Sequence, residues 1–253
     1  VISVIVCSRQ DPAWDFHARN VDKTIGADYE YVRIDNRAPG RGICAAYNEG
    51  VSRAAGDICV FVHEDVFFME PGWGSVLRTK FSADASIGLI GVAGTQYLFA
   101  DDVRWHTAGP PFTRGRVIHE LDTGAAFILT VLSWDKSDAD VVVVDGLFFA
   151  VRRSLFEQIR FDDATFPAFH FYDLDISMQV RKTHRCVVTW DIMLKHLSAG
   201  KNDPAWFAGA ERFRQKYSGS LPASCAKSVP DPKNLQAALN YDLRNKVPQV
   251  TIM

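Results

Sequence analysis

The stretch GDICVFVHEDVFF, residues 56–68, decides how the chain folds. Five apolar residues, Ile58 to Val62, run without a break and stop at His63, Glu64 and Asp65. A run that short, opened by Gly-Asp and closed by charge, predicts a strand covered on both faces. Open α/β sheets built from such strands gather ligands just beyond the strands' carboxyl ends. An ionised carboxylate avoids that position unless it is paired or bound to a cation. His63, Glu64 and Asp65 are therefore candidates for holding something.

Outward from this strand, VISVIVCS (1–8) predicts another buried strand, ending at Ser8 and Arg9, and YEYVRIDN (29–36) a second one, ending at Asp35 and followed by the turn APGRG. ICAAYNEGVSRAAG (43–56) has helical spacing through Ile43, Ala46, Tyr47, Val51 and Ala54 and a terminating Gly56. GWGSVLRTKF (72–81) reads as helix and IGLIGVAG (87–94) as strand. This alternation predicts an α/β fold, a mostly parallel sheet with helices on both faces. From Thr95 to Asp140 no period persists, and a long irregular segment in a compact domain is more often a functional loop than a linker. Order returns in VVVVDGLFFAVRRSLFEQI (141–159): a strand, a turn at Asp145-Gly146, a strand, then a helix from about Ser154. CVVTWDIMLKH (186–196) predicts one late strand running up to His196. The expected organisation is a single domain over 1–217, in two halves that meet at residues 94 and 95, with a tail over 218–253 that packs on the domain or extends from it.

Composition narrows the function classes. A net charge of -2 leaves no basic footprint for nucleic acid. The longest apolar stretches, 141–144 and 147–151, fall far short of a membrane span. No signal peptide is visible at the first residues. Five cysteines, an odd number without metal-ligand or redox spacing, read as buried thiols suited to a reducing cytosol, which predicts a cytoplasmic protein.

Polar groups thus stand at four strand ends, Ser8-Arg9, Asp35, His63-Glu64-Asp65 and Asp145, joined by Asp173 in FHFYDLDIS and by His196. Each has a plain structural alternative. Asp35 could cap its turn, His196 could be a satisfied core histidine, and Asp173 and Asp175 could face a helix N-terminus.

Their order along the chain resembles a family 2 glycosyltransferase of the GT-A fold, over roughly residues 1–200. SVIVCSR is similar to the family's opening strand, VRIDN to its second, and GRGICAAYNEGVSRAAGDICVFVHEDV to its Gly-Ala-Ala-Asn-Gly helix and Asp-x-Asp metal motif. VDGLFFAVRRSLFEQIRFDD with FHFYDLDISMQVRK resembles the acceptor-side block, and MLKHLSAG the strand supplying a distal histidine. The resemblance implies a Rossmann-like sheet with a smaller antiparallel acceptor-side portion. It implies nucleotide contacts from Ser8, Arg9, Asn48 and Asp35, the last to a base that is uridine by default. It makes Asp65 the main metal ligand and His196 a second, for Mn²⁺ or Mg²⁺. His63 stands where the family has Asp, and is expected to touch the ribose or, through water, the metal. Glu64 is either a ribose contact or solvent-facing. Asp173 becomes the base, Asp175 a structural cap with Arg181 as its partner, and Asp145 with Gly146 the lining of the donor-sugar or acceptor pocket.

The implied activity is inverting transfer from a nucleotide diphosphate-sugar to a hydroxyl of a glycan, glycolipid or other acceptor. A non-catalytic nucleotide-sugar-binding domain of a larger glycan-synthesising protein is the alternative. WFAGAERFRQKY (206–217) places Trp206, Ala210, Phe213 and Tyr217 on one helical face, for docking or for peripheral membrane contact. Tyr97, Phe99, Trp105 and Phe112 either stack on a sugar or form a small core of their own.

Overall fold

In a computed structural model, residues 1–9, 11–37, 41–120, 127–198, 203–233 and 235–236 are described. The strands are β1 (Ile2–Ser8), β2 (Tyr29–Asp35), β3 (Ile58–Val62), β4 (Val66–Phe68), β5 (Ile87–Gly91), β6 (Ala93–Thr95), β7 (Tyr97–Leu98), β8 (Thr113–Glu120), β9 (Phe127–Val131), β10 (Ala139–Val141), β11 (Val143–Val144), β12 (Phe148–Arg152), β13 (Arg185–Val188), β14 (Leu194–His196) and β15 (Ala223–Ser224). The helices are α1 (Asp11–Thr24), α2 (Ile43–Arg53), α3 (Trp73–Ala83), α4 (Tyr172–Val180) and α5 (Pro204–Lys216).

The opening run is β3, all five residues buried, in a seven-stranded sheet ordered β10-β13-β5-β12-β3-β1-β2. Strands β1, β2, β3, β5 and β13 point one way, while β10 and β12 run against them. Period-two alternation splits β3 between two cores. Cys59 and Phe61 join Tyr47 of α2 and Ile176 of α4 on one face. Ile58, Val60 and Val62 join Leu77 and Phe81 of α3 on the other. Phe61 lies within ring contact of Tyr47, Phe149, Phe156 and Phe161.

A second sheet, β11-β6-β8-β14-β4 with β9 on β8, is antiparallel except for β8 with β14. The chain passes from one sheet to the other directly through His63, Glu64 and Asp65, between β3 and β4. That is why the apolar run stops where it does.

Four local expectations are corrected. The helix expected from Ser154 is a 3-10 turn, Arg153–Glu157. The late strand is two, β13 in the first sheet and β14 in the second, parted by a turn at residues 189–193. The irregular segment holds the long strand β8, whose TRGRVIHE buries alternate residues in its first half. Gly115 conceals the pattern: at φ +101°, with a Cβ that would lie 1.8 Å from the Val92 carbonyl, it must be glycine. Helix α1 was not anticipated, although Asp-Pro at its start is a helix-opening signal.

The face of α5 docks as expected, with Ala210, Phe213 and Tyr217 buried. Phe99 and Phe112 with Tyr97 form the small core, and Trp105 does not join it. All five cysteines are free, three of them buried and Cys225 exposed. The tail pairs back through β15 on β7, and residues 237–253 lie outside the described residues. No helix among the described residues is long and apolar enough to cross a membrane.

Candidate active site

Strand pairing assembles the centre. Val66 of β4 sits opposite His196 of β14, and Leu197 N–H donates to the Asp65 carbonyl, so His196 arrives beside Asp65. His196 Nε2 lies 3.4 Å from Asp65 Oδ1 and 3.1 Å from Ser198 Oγ. The rings of His63 and His196 are 5.6 Å apart. One ligand atom each from His63, Asp65 and His196 all fall within 4.8 Å of one another. Two imidazoles and a carboxylate within that span fit a single divalent cation, and nitrogen donors beside oxygen suit Mn²⁺ better than Mg²⁺.

The electrostatics agree with that geometry. Burial alone would raise the Asp65 carboxyl, but the hydrogen bond from His196, with a smaller one from Ser198, outweighs it and holds the group well below the usual range. Burial, then the neighbouring His196, pushes the His63 imidazole down, keeping it neutral and able to act as a ligand.

Two cavities meet at this cluster. The first, about 560 Å³, is lined by Cys7, Arg9, Asn36, Arg41 and Ile43 together with Glu64 and Asp65. The second, about 750 Å³, is lined by Trp105, His106, His119, Asp145, Gly146, Asp173, His196 and Trp206. His63, Phe169, His170, Ser198 and Asp203 border both. Each volume is that of a small-molecule site.

Asp173 and Asp145 both line the second cavity. Burial first, then the charge of Asp145, raises the Asp173 carboxyl to about 7. Asp145 is held on both oxygens, by Trp105 Nε1 at 3.0 Å and by Leu147 N–H at 2.9 Å. The loop presenting Trp105 is fixed by a buried ion pair, Arg104 to Asp102, whose carboxylate also accepts from Thr107 Oγ at 2.8 Å. Gly146 allows the strand turn to press on α4: a Cβ there would lie 2.2 Å from Tyr172 Oη and 3.0 Å from Asp173 Oδ2. Directly before Tyr172 and Asp173, Phe171 holds φ +69°, a strained value for a bulky residue, and is pinned by Phe166, Trp206 and Phe213.

The remaining expected site residues divide. Arg9 lines the first cavity and its N–H donates to the Glu64 carboxylate at 3.0 Å, so Glu64 clasps the end of β1 while facing the same space. Ser8 is fully buried, does not line the cavity, and its hydroxyl has no hydrogen-bond partner among the described residues. Asp35 is exposed and closes its own turn: its carboxylate accepts from the Arg37 N–H and guanidinium, which hold it at about 2. The next residue, Asn36, lines the cavity in its place. Asn48 is also corrected, because its amide pairs with both the carbonyl and the N–H of Phe161, a tie between α2 and the loop before α4. Asp175 is structural, but its partners are Lys216 at 2.6 Å and Tyr217 Oη at 2.7 Å rather than Arg181, which reaches the Ser224 carbonyl.

His119 and Tyr172 went unnoticed in the sequence. His119 was hidden in the segment with no period, and pairs in register with His196. Tyr172 had one signal, adjacency to Asp173.

The chain matches the family described as "Glycosyltransferase like family" over residues 3–216. It belongs to that family. GalNAc-T7, solved with UDP, GalNAc and Mn²⁺, shares 11% identity with this family member at a TM-score of 0.57, over 96% of this chain and 56% of its own. The mannosyltransferase PcManGT from Pyrobaculum calidifontis, solved with GDP-Man and Mn²⁺, shares 14% at 0.54, over 98% and 76%. At these identities the likeness shows the fold, which is the GT-A fold of a glycosyltransferase. The chain spans little more than half the length of the GalNAc-T7 structure. No curated protein matches it.

Proposed function

We propose that this family member moves a sugar from a nucleotide diphosphate-sugar to an acceptor hydroxyl, with inversion at the sugar carbon. One observation carries the reading: His63, Asp65 and His196 converge where two cavities meet, with Asp173 in the second. The first cavity, at the ends of β1 and β2, takes the nucleotide, with Arg9, Asn36 and Arg41 among its lining residues. His63, Asp65 and His196 hold a divalent cation, whose Lewis acidity stabilises charge on the departing diphosphate.

Asp173 accepts the proton of the acceptor hydroxyl as that oxygen bonds to the sugar carbon. The bond from this carbon to the phosphate oxygen breaks, and the nucleoside diphosphate leaves. A carboxylate at about 7 is close to matched to neutral pH, strong enough as a base and still substantially ionised. Asp145, the carboxylate whose charge acts on Asp173, is engaged on both oxygens and ill placed to attack as a nucleophile, which supports direct displacement. Phe169, 49% exposed at the border of both cavities, offers an aromatic face to the sugar. Uridine is our choice of base.

A thermal-shift screen of nucleotide diphosphates and their sugars, with and without Mn²⁺, tests the reading, followed by product analysis on the sugar that binds. Stabilisation by one nucleotide only when Mn²⁺ is present, and a product of inverted configuration, is expected. Binding with neither hydrolysis nor transfer would leave a carrier domain instead.

A further inference from the structure

Tyr172 links His63 of the metal-ligand cluster to the turn at Gly146. Its hydroxyl oxygen lies 2.6 Å from His63 Nε2 and 3.0 Å from the Gly146 carbonyl oxygen, and the ring is buried against Tyr47, Phe149 and Phe169. A phenol carries one proton. The Gly146 carbonyl can only accept, so both contacts are hydrogen bonds only when the carbonyl takes that proton. The contact with His63 then requires His63 to be the donor, through Nε2–H. A neutral imidazole with its proton on Nε2 keeps its lone pair on Nδ1.

We infer that Tyr172 is a positioning residue that fixes His63 as its Nε2–H tautomer and leaves Nδ1 as the ring nitrogen offered to the cation. The inference rests on the metal reading above and deepens it. Histidine ligands are commonly oriented by a hydrogen bond on the ring nitrogen away from the metal, and losing that partner weakens metal binding by about 10–100-fold. The usual partner is a carboxylate, a backbone carbonyl or water. Here it is a phenol relayed to a backbone carbonyl. The same glycine also lies against the proposed base, since a Cβ built on Gly146 would come 3.0 Å from Asp173 Oδ2. The His63–Tyr172 pair and Asp173 therefore meet at Gly146.

Two measurements test it. The first is the nitrogen–proton long-range correlation spectrum of His63 in the metal-free wild type, where the Nε2–H pattern is expected and an Nδ1–H pattern would overturn the inference whatever the variants do. The second is Mn²⁺ affinity in the presence of saturating UDP, by calorimetry or by the resonance of free Mn²⁺, for the wild type and Tyr172→Phe. At least a tenfold weaker affinity in a variant with unchanged circular dichroism supports it. Wild-type uptake matched by the variant overturns this inference alone. No uptake by the wild type overturns it together with the functional reading.

Discussion

At the scale of single residues, the surroundings of Asp173, the proposed base, set opposing demands. Between pH 3.8 and about 7 the folded state keeps a proton that the unfolded state has released, so stability falls as pH rises through that window. Asn has no proton to lose. Asp173→Asn should therefore melt higher than the wild type at pH 8, by an amount corresponding to a few kcal/mol, with the difference shrinking towards pH 4. The same variant should bind nucleotide normally and transfer at least 100-fold more slowly, as expected for a lost general base. Equal transfer rates would move the base elsewhere. Asp145 is tested separately by pH. A base works ionised, so kcat/KM should fall about tenfold per unit below the Asp173 midpoint near pH 7. Asp145→Asn removes a neighbouring negative charge and should carry that acid limb to lower pH. A limb left in place, or moved upwards, would contradict the pairing. The carboxylates were visible in the sequence as strand-end and helix-start residues. Their mutual influence was not, because it depends on the packing that Gly146 permits.

At the scale of elements, the site depends on how α4 is anchored. Asp175, 1% exposed, receives Lys216, Tyr217 Oη and Gln179 Nε2, binding the helix that presents Asp173 to the end of α5. Asp175→Ala leaves the buried Tyr217 hydroxyl without that partner and should lower stability by about 2–3 kcal/mol in urea titrations. It should also weaken transfer more than donor binding, because the first cavity does not touch α4. A variant as stable as the wild type would show that the anchor is dispensable. Sequence reading found α2, α3 and β1, β2, β3, β5 and β12 of the first sheet because their apolar periods are clean. It missed β8 and merged β13 with β14. The break between those two is the residue 189–193 turn, which contains Trp and Ile and carries no Gly or Pro to mark it. It also assigned Asn48 by resemblance alone and left Asp35 between a site role and a turn cap, and here local bonds claim both: Phe161 holds the first and Arg37 the second.

At the scale of the whole molecule, the two sheets share a seam at residues 63–65, and the functional reading stands on that seam. The fold brings Asp65 and His196, 131 positions apart in the chain, within 3.4 Å. The opening motif announced one side of the centre, while only the fold shows that the two cavities open from it. The central claim is that the three side chains there hold the cation that a nucleotide diphosphate needs to bind. Calorimetric titration of UDP into the wild type and into Asp65→Ala, each with and without Mn²⁺, tests it most directly. The account predicts wild-type binding strengthened at least tenfold by Mn²⁺, and an Asp65→Ala protein, still folded, in which Mn²⁺ adds nothing. Equal enhancement by Mn²⁺ in both proteins would contradict it.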